Sequence, residues 1–414
     1  MKLLFAPDAF KDSVSARTVS GIVRRKAEEI FTHCEMEEIP LADGDKGTVE
    51  VLTAALNGKI EQTTVRNYEG APIQVTYGIL DDNTAVLEAG QVLQDGGSLE
   101  SSMRHKLLFS SSAGVGELIR HVLESGYRRI IIGAGTGVVN DGGMGCAHAL
   151  GVAFYNQKGE RLHPSGIALK DIDRIDVSGL DERLREAEVT VLCPVRNELF
   201  GDEGATYVYG AMNGGGPEEL ILLEKGMRHY AHKLTQATGV QVGGLAGAGA
   251  GGGLPAALKA FCNAELKNGI STVLKMICFE QRVERANLVV VGEGVLDGTS
   301  VYGKAISGIG MMCKAKQIPV VALVGRLDKD ANRLYHYGIS AVMPSVGSIM
   351  TQEEATQNAE ALIEEAAERM FRLLAVGMQM QHGEPFIPEA GIDLRYKREK
   401  KGQINWAVNP DWDM

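Results

Sequence analysis

The chain has 414 residues, 44% of them hydrophobic and 23% charged, with a formal net charge of −11. That length exceeds one ordinary core, so two domains are the default, and the balance excludes a disordered chain. The acidity speaks against a nucleic-acid partner, the one short basic run (Lys397, Arg398, Lys400, Lys401) reading as solvated surface, and no apolar run approaches the roughly 18 residues of a membrane span.

The first residues, Met1 to Ala6, read as an edge into a strand rather than a signal peptide. The cysteines at 34, 146, 193, 262, 278 and 313 are scattered without a Cys-x-x-Cys pair, which reads as reduced, mostly buried thiols in a cytoplasmic protein. Glycine is the outlier, 51 residues against 12 prolines, clustered between strand-like and helix-like segments. That placement suggests backbone contact with a ligand more than flexibility.

In chain order, Leu3 to Ala6 reads as a short buried strand. Ser15 reads as the N-cap of a helix with Val19, Ile22, Val23, Ala27 and Ile30 on one face. A second strand is expected to end near Pro40-Leu41-Ala42, followed by Asp43-Gly-Asp-Lys-Gly47 and a helix from about Thr48, which implies a parallel sheet. From about Val65 to Gln91, alternation such as Ile73 to Tyr77 predicts antiparallel strands and a different domain. A helix from Ser112 to about Ser125 feeds the strand Ile130-Ile131-Ile132, then a glycine-rich loop and a helix from Met144 to Leu150. The segment 243–253 has seven glycines in eleven positions and meets Pro255, well placed to open a helix. Leu288 to Val291 and Val320 to Val324 read as buried strands, and Gln352 to about Leu374 as one long helix. Parallel texture at both ends predicts a discontinuous first domain, 1–65 with about 286–375 and an uncertain share of 110–150. An inserted domain would cover about 66–285 and a tail, with Trp406 and Trp412, would cover 376–414.

Four segments follow one design of strand, glycines and helix, three of them with an acidic residue: Leu41 to Gly44, Gly133 to Gly143, Gly243 to Gly253 without the acid, and Gly292 to Asp297 running on to Lys304. Glycine lets backbone N–H groups approach an anion, and a helix N-terminus adds partial positive charge. Asp141 and Asp297 beside such loops suggest Mg²⁺ between carboxylate and phosphate, with Lys11 or Lys304 within reach, the arrangement phosphoryl transfer needs. Asp43 is as often a helix cap as a catalytic group at such a turn. His229 and His232 lack ligand partners at metal spacing and read as an exposed helix face.

Ala6-Pro-Asp8-x-Phe10-Lys11-Asp-Ser13, Leu41-Ala-Asp-Gly44, Gly116-Glu-Leu-Ile-Arg120, Asn140-Asp-Gly-Gly143 and Gly292-Glu-Gly294 with Gly303-Lys304 together resemble the bacterial type I glycerate kinases over about residues 1–375. The resemblance implies an α/β fold of two domains, a Rossmann-like parallel-sheet domain and a second mixed α/β domain, with the active site in the cleft between them. It implies ATP-dependent phosphorylation of a hydroxyl of D-glycerate or a related hydroxy acid. The roles expected are Asp43, Lys11 and Lys304 as catalytic groups, and Asp8, Ser13, Arg196, Asn197 and Arg326 around the substrate. Gly133, Gly135, Asn140, Gly142, Gly292, Glu293 and Gly294 would hold ATP, and Asp141 and Asp297 would hold Mg²⁺. A homodimer is the assembly to test.

The departures from the family pattern are specific. Its Asp-Gly-Gly-Glu-Gly loop becomes Asp43-Gly-Asp45-Lys46-Gly47. Val115, Gly137, Val139, Pro194 and Val295 replace a Thr, a Ser, a Thr, an Asp and an Arg, while Arg196 and Arg326 stand where small hydroxyl residues are usual. A silent relative that binds a metabolite or nucleotide is the competing expectation. The retained Asp8, Lys11, Asp43, Asn140, Asp141, Asp297 and Lys304 oppose it.

Overall fold

The computed structural model describes residues 1–10, 13–94, 103–296, 305–327 and 331–382. The described strands, in chain order, are β1 (Lys2–Pro7), β2 (Glu35–Glu38), β3 (Lys59–Arg66), β4 (Pro72–Ile79), β5 (Thr84–Glu88), β6 (Arg129–Gly133), β7 (Ala153–Tyr155), β8 (Arg174–Asp176), β9 (Glu188–Cys193), β10 (Glu265–Asn268), β11 (Leu288–Leu296), β12 (Val320–Leu327) and β13 (Ala341–Pro344). Two sheets organise all but the small β7–β8 pair.

The first sheet has the order β13-β12-β11-β1-β2 and every pairing in it is parallel. Its central strands are apolar on both faces, as a sheet covered on both sides requires. Leu3 pairs with Leu288, so the two ends of the chain build one sheet. The second sheet runs β10-β9-β6-β5-β4-β3, parallel from β10 to β5 and antiparallel from β5 to β3. The antiparallel texture read near Ile73 to Tyr77 is the β3–β4 hairpin, which begins at Lys59. Strand β3, and β6 from the 110–150 segment, therefore both pair in the second sheet, not the first.

Local signals set most of the helix starts. Ser15 Oγ accepts the Thr18 N–H at 3.2 Å and opens the helix Ala16–Ile30, whose Val19, Ile22, Val23 and Ala27 are buried. The helices Thr48–Ala55, Ala113–Glu124 and Met144–Ala149 lie where the pattern put them, and Pro255 sits in the first turn of Leu254–Cys262. Two boundaries differ. Strand β2 stops at Glu38 because Pro40 has no N–H to extend the ladder, although Ile39 N and Leu41 N still donate to Phe5 O and Pro7 O. The long helix expected from Gln352 is broken at Asn358, whose side chain donates to Glu354 O at 2.8 Å and whose backbone leaves the helical region. The helix then resumes as Ala359–His382, past the expected end of the body, while the remaining tail residues, with Trp406 and Trp412, lie outside the described residues.

Three cores result. One face of the first sheet packs on the helices Ala16–Ile30 and Ala359–His382 through Leu3, Phe5, Val19 and Phe371. One face of the second sheet packs on Ala113–Glu124, Met144–Ala149 and the long helix Pro217–Thr238. The third core joins the sheets. Leu4, Val289 and Val291 of the first meet Val86 and Leu192 of the second, with Leu52, Ile270, Val273 and Ile309 from intervening helices. Burial of this shared layer, at about 25 cal/mol per Å² of apolar surface, ties the two sheets together as well as stabilising each.

The joint is tightest where the segment after β2 crosses the carboxyl ends of β9 and β10. A Cβ on Gly269 would lie 1.5 Å from the Asp43 carbonyl oxygen, and a Cβ on Gly44, at φ +99°, would lie 2.5 Å from Leu192 O. Gly269→Ala is therefore expected to lower stability by about 3 kcal/mol through forced backbone displacement. Gly21→Ala, in a helix interior with open space around it, should raise stability by about 0.5–1 kcal/mol. Urea unfolding of both variants checks the contrast, and equal effects would contradict the packing described.

Candidate active site

The carboxyl ends of the parallel strands of both sheets face one crevice of about 3080 Å³. Outside the carboxyl ends of parallel strands is where open α/β sheets bind ligands. The first sheet contributes Asp8 after β1, Glu293 and Gly294 from β11, and Arg326 from β12. The second contributes Glu88 at the end of β5, Thr136 and Gly137 after β6, and Pro194, Arg196 and Asn197 after β9. Asp43, Asp45 and Lys46 lie between them on the crossing segment.

The acids on this surface are held by N–H and hydroxyl donors. Asp8 Oδ1 accepts the Ala9 N–H at 2.7 Å, and Asp43 Oδ1 accepts the Asp45 N–H at 3.2 Å. Asp45, only 4% exposed, takes the Thr136 N–H at 3.2 Å and the Thr136 hydroxyl at 2.9 Å, with Gln94 Nε2 at 3.5 Å. This pair clasps the crossing segment to the loop after β6. Glu88 reaches up from β5 to accept the Gly47 and Val49 N–H groups at 3.0 and 3.4 Å, at the start of the helix Thr48–Ala55. Burial pushes the Glu88 carboxyl up to about 7, with the charge of Asp45 adding to the rise and the two N–H donors and Lys46 opposing it.

The residues expected at the site divide. Asp8, Ser13, Asp43, Arg196, Asn197, Glu293, Gly294 and Arg326 line the crevice. Asn197 spends its side chain on its own loop, accepting from Tyr209 Oη at 2.6 Å and donating to Glu203 O at 2.7 Å. Gly133, Gly135, Asn140, Asp141, Gly142 and Gly292 do not line it. Asn140 donates to Thr206 Oγ1 at 3.1 Å. Asp141 is fully buried, its Oδ2 taking the Ser112 N–H, the Ser112 hydroxyl and the Gly145 N–H, its Oδ1 the Gly143 N–H, so its oxygens brace the turn into the helix Met144–Ala149. The polyglycine stretch packs behind the wall in the same way, Gly252 O accepting the Gly142 N–H at 2.9 Å. Lys11, Asp297 and Lys304 lie outside the described residues. His229 Nε2 donates to Ile172 O at 2.6 Å rather than facing a metal, and no group of three metal-binding side chains occurs among the described residues.

The sequence pattern of the glycerate kinase family fits residues 3–375. The chain belongs to the glycerate kinase family. It is 36% identical over 368 residues to the glycerate kinase of Bacillus subtilis (strain 168), covering 89% of this chain and 96% of that protein. It is 36% identical over 380 residues to the glycerate 2-kinase of Escherichia coli (strain K12), covering 92% and 99%. The solved glycerate kinase 2 from Salmonella typhimurium LT2 matches the fold with a TM-score of 0.74 at 35% identity, over 92% of this chain and 99% of that one. Membership makes the chain an enzyme of the kinase type, and no helix among the described residues is long and apolar enough to cross a membrane.

Set in the fold, the departures from the glycerate kinase pattern are of two kinds. Val115 and Val139 are buried in the core of the second sheet, where a methyl in place of a hydroxyl changes packing. Gly137, Pro194 and Val295 line the crevice, with Asp45, Lys46, Arg196 and Arg326. Glu88 and the Asp45–Thr136 clasp were not singled out from sequence. A carboxylate ending the apolar run Ala85-Val86-Leu87 was the available signal for Glu88.

Because Glu88 holds its proton up to about pH 7 in the folded chain but only to about 4.5 when free, stability falls as pH rises through that window. Glu88→Gln keeps an acceptor for the Gly47 and Val49 N–H groups. It is expected to melt higher than the unaltered protein at pH 8 and at the same temperature at pH 4, by calorimetry. An offset of equal size at both pH values would show that packing, not charge, governs the site.

Proposed function

We propose that the protein phosphorylates a hydroxyl of D-glycerate or a related hydroxy acid, with ATP and Mg²⁺, in the crevice between the two sheets. The observation that carries the reading is that Asp43, on the crossing segment, meets the carboxyl ends of the parallel strands of both sheets in one crevice. The family membership supports it, as do relatives named for glycerate phosphorylation.

The donor set fits a metal–nucleotide. Mg²⁺ takes one or two carboxylates and completes its shell with water and phosphate oxygens, so Asp8 after β1 and Glu293 of β11 would hold it, no group of three metal-binding side chains occurring among the described residues. Asp141, with both oxygens engaged inside the fold, is replaced in this role, and Asp297, Lys11 and Lys304 keep their expected parts. When bound, Mg-ATP supplies the phosphoryl group and screens its charge. Asp43 holds the substrate hydroxyl and accepts its proton, oriented by the Asp45 N–H. The clasp and Glu88 keep that carboxylate in place, since positioning carries most of the catalysis in phosphoryl transfer.

The same reading takes the first sheet and its helices as a discontinuous domain, with the insertion beginning by β3 and containing β6. It also takes a small molecule as partner, with neither nucleic acid nor membrane involved, a cytoplasmic location and a homodimer.

A coupled ADP-release assay with Mg-ATP and D-glycerate tests the activity, and nucleotide binding without turnover on any hydroxy acid would favour the silent relative. Asp43→Asn is expected to lower kcat by roughly 10² to 10⁴-fold with a smaller change in KM. Full turnover in that variant would remove Asp43 as the base.

A further inference from the structure

The charges lining the crevice are unevenly satisfied. Of its acids, Asp8, Asp43, Asp45 and Glu88 accept N–H groups from the fold, while Glu198, Asp202 and Glu203 line it as exposed carboxylates. Two of its arginines are neutralised, Arg17 by Glu50 at 3.0 Å and Arg282 by Glu37 at 2.5 Å. Arg196 and Arg326 are different. Both are exposed to the crevice, one from the loop after β9 and one from the end of β12, and among the described residues neither has an ion pair or a side-chain hydrogen bond.

Each guanidinium presents five N–H donors in a planar fork matched to a carboxylate or phosphate. Two such forks, without an ion-pair partner on the walls of one crevice, offer donors that an anionic guest can take up. The single carboxylate of glycerate occupies one fork at most.

We propose that the hydroxy acid this crevice takes carries a second anionic group, carboxylate or phosphate, read by Arg196 and Arg326. The proposal rests on the kinase reading above and narrows its substrate class. The two arginines act on the acid and not on the nucleotide, so their loss changes which acid is used.

The test compares D-glycerate, tartronate, malate and 3-phosphoglycerate at saturating Mg-ATP in the unaltered protein, Arg196→Ser and Arg326→Ser. The first two dicarboxylates against the phosphate ester separate the two sources of the second anion. One of the three doubly anionic acids is expected to exceed glycerate in kcat/KM by about 10-fold or more. Each variant should lose roughly 10 to 100-fold of that preference through KM, with the nucleotide KM unchanged. A preference for glycerate in the unaltered protein, or losses that fall on the nucleotide KM, overturns the proposal. If no acid turns over, the kinase reading fails separately, and calorimetric titration of the same acids decides. Tighter binding of a doubly anionic acid, lost in both variants, upholds the proposal, and equal binding of all four overturns it.

Discussion

The crossing of residues 41–47 over the carboxyl ends of the second sheet is the contact on which the remaining architecture depends. The backbone of Asp43 and Gly44 touches Gly269 and Leu192 so closely that no side chain fits between them, and the Gly135 N–H donates to Gly44 O at 3.0 Å. Strand β1 and strand β2 belong to the first sheet, yet the helix Thr48–Ala55 that follows the crossing packs beneath β4 and β5 of the second. The chain is thus sewn from one sheet to the other at the position of Asp43. The shared apolar layer below, from Leu4 and Val291 through Leu52 to Leu192, holds the seam closed.

This placement explains why the segment carries chemistry. A carboxylate on a free loop loses conformational entropy whenever it must adopt one geometry. Asp43 has that entropy removed by folding, through the Asp45 N–H, the Asp45–Thr136 clasp and the Glu88 contacts at Gly47 and Val49. The side chains of Asp45 and Thr136 meet each other. Their hydrogen bond adds a side-chain link across the seam beside the backbone contacts. Buried polar pairs of this kind are costly if half satisfied, which gives each residue a reason to require the other.

Much of this was legible in the sequence because it is local. Ser15, Thr48 and Pro255 mark helix starts by side-chain and backbone rules that operate within a turn, and the alternation in Ile73 to Tyr77 marks a strand by its period of two. The glycine-rich loops were recognisable as loops, but which side of each loop faces a ligand is set by tertiary packing. The amides of Ala134, Gly135 and Gly142 turn toward Leu192, Gly44 and Gly252, whereas residues 136–137 and 293–294 reach the crevice. Asp141 illustrates the same limit. An acid in a glycine loop suggests a metal, and only the arrival of Ser112 from 29 residues away shows its oxygens already engaged. The pairing of Leu3 with Leu288 is equally a property of the whole chain.

The account stands or falls on where the acid's hydroxyl sits. A crystal structure of the protein with Mg²⁺, a non-hydrolysable ATP analogue and D-glycerate, or the acid preferred in turnover, measures this most directly. The predicted result is a substrate hydroxyl within hydrogen-bonding distance of the Asp43 carboxylate, with Asp45 still bound to Thr136 and the nucleotide phosphates near the end of β11. An acid bound outside the crevice, or an Asp43 side chain directed away from every hydroxyl of the ligand, would contradict it.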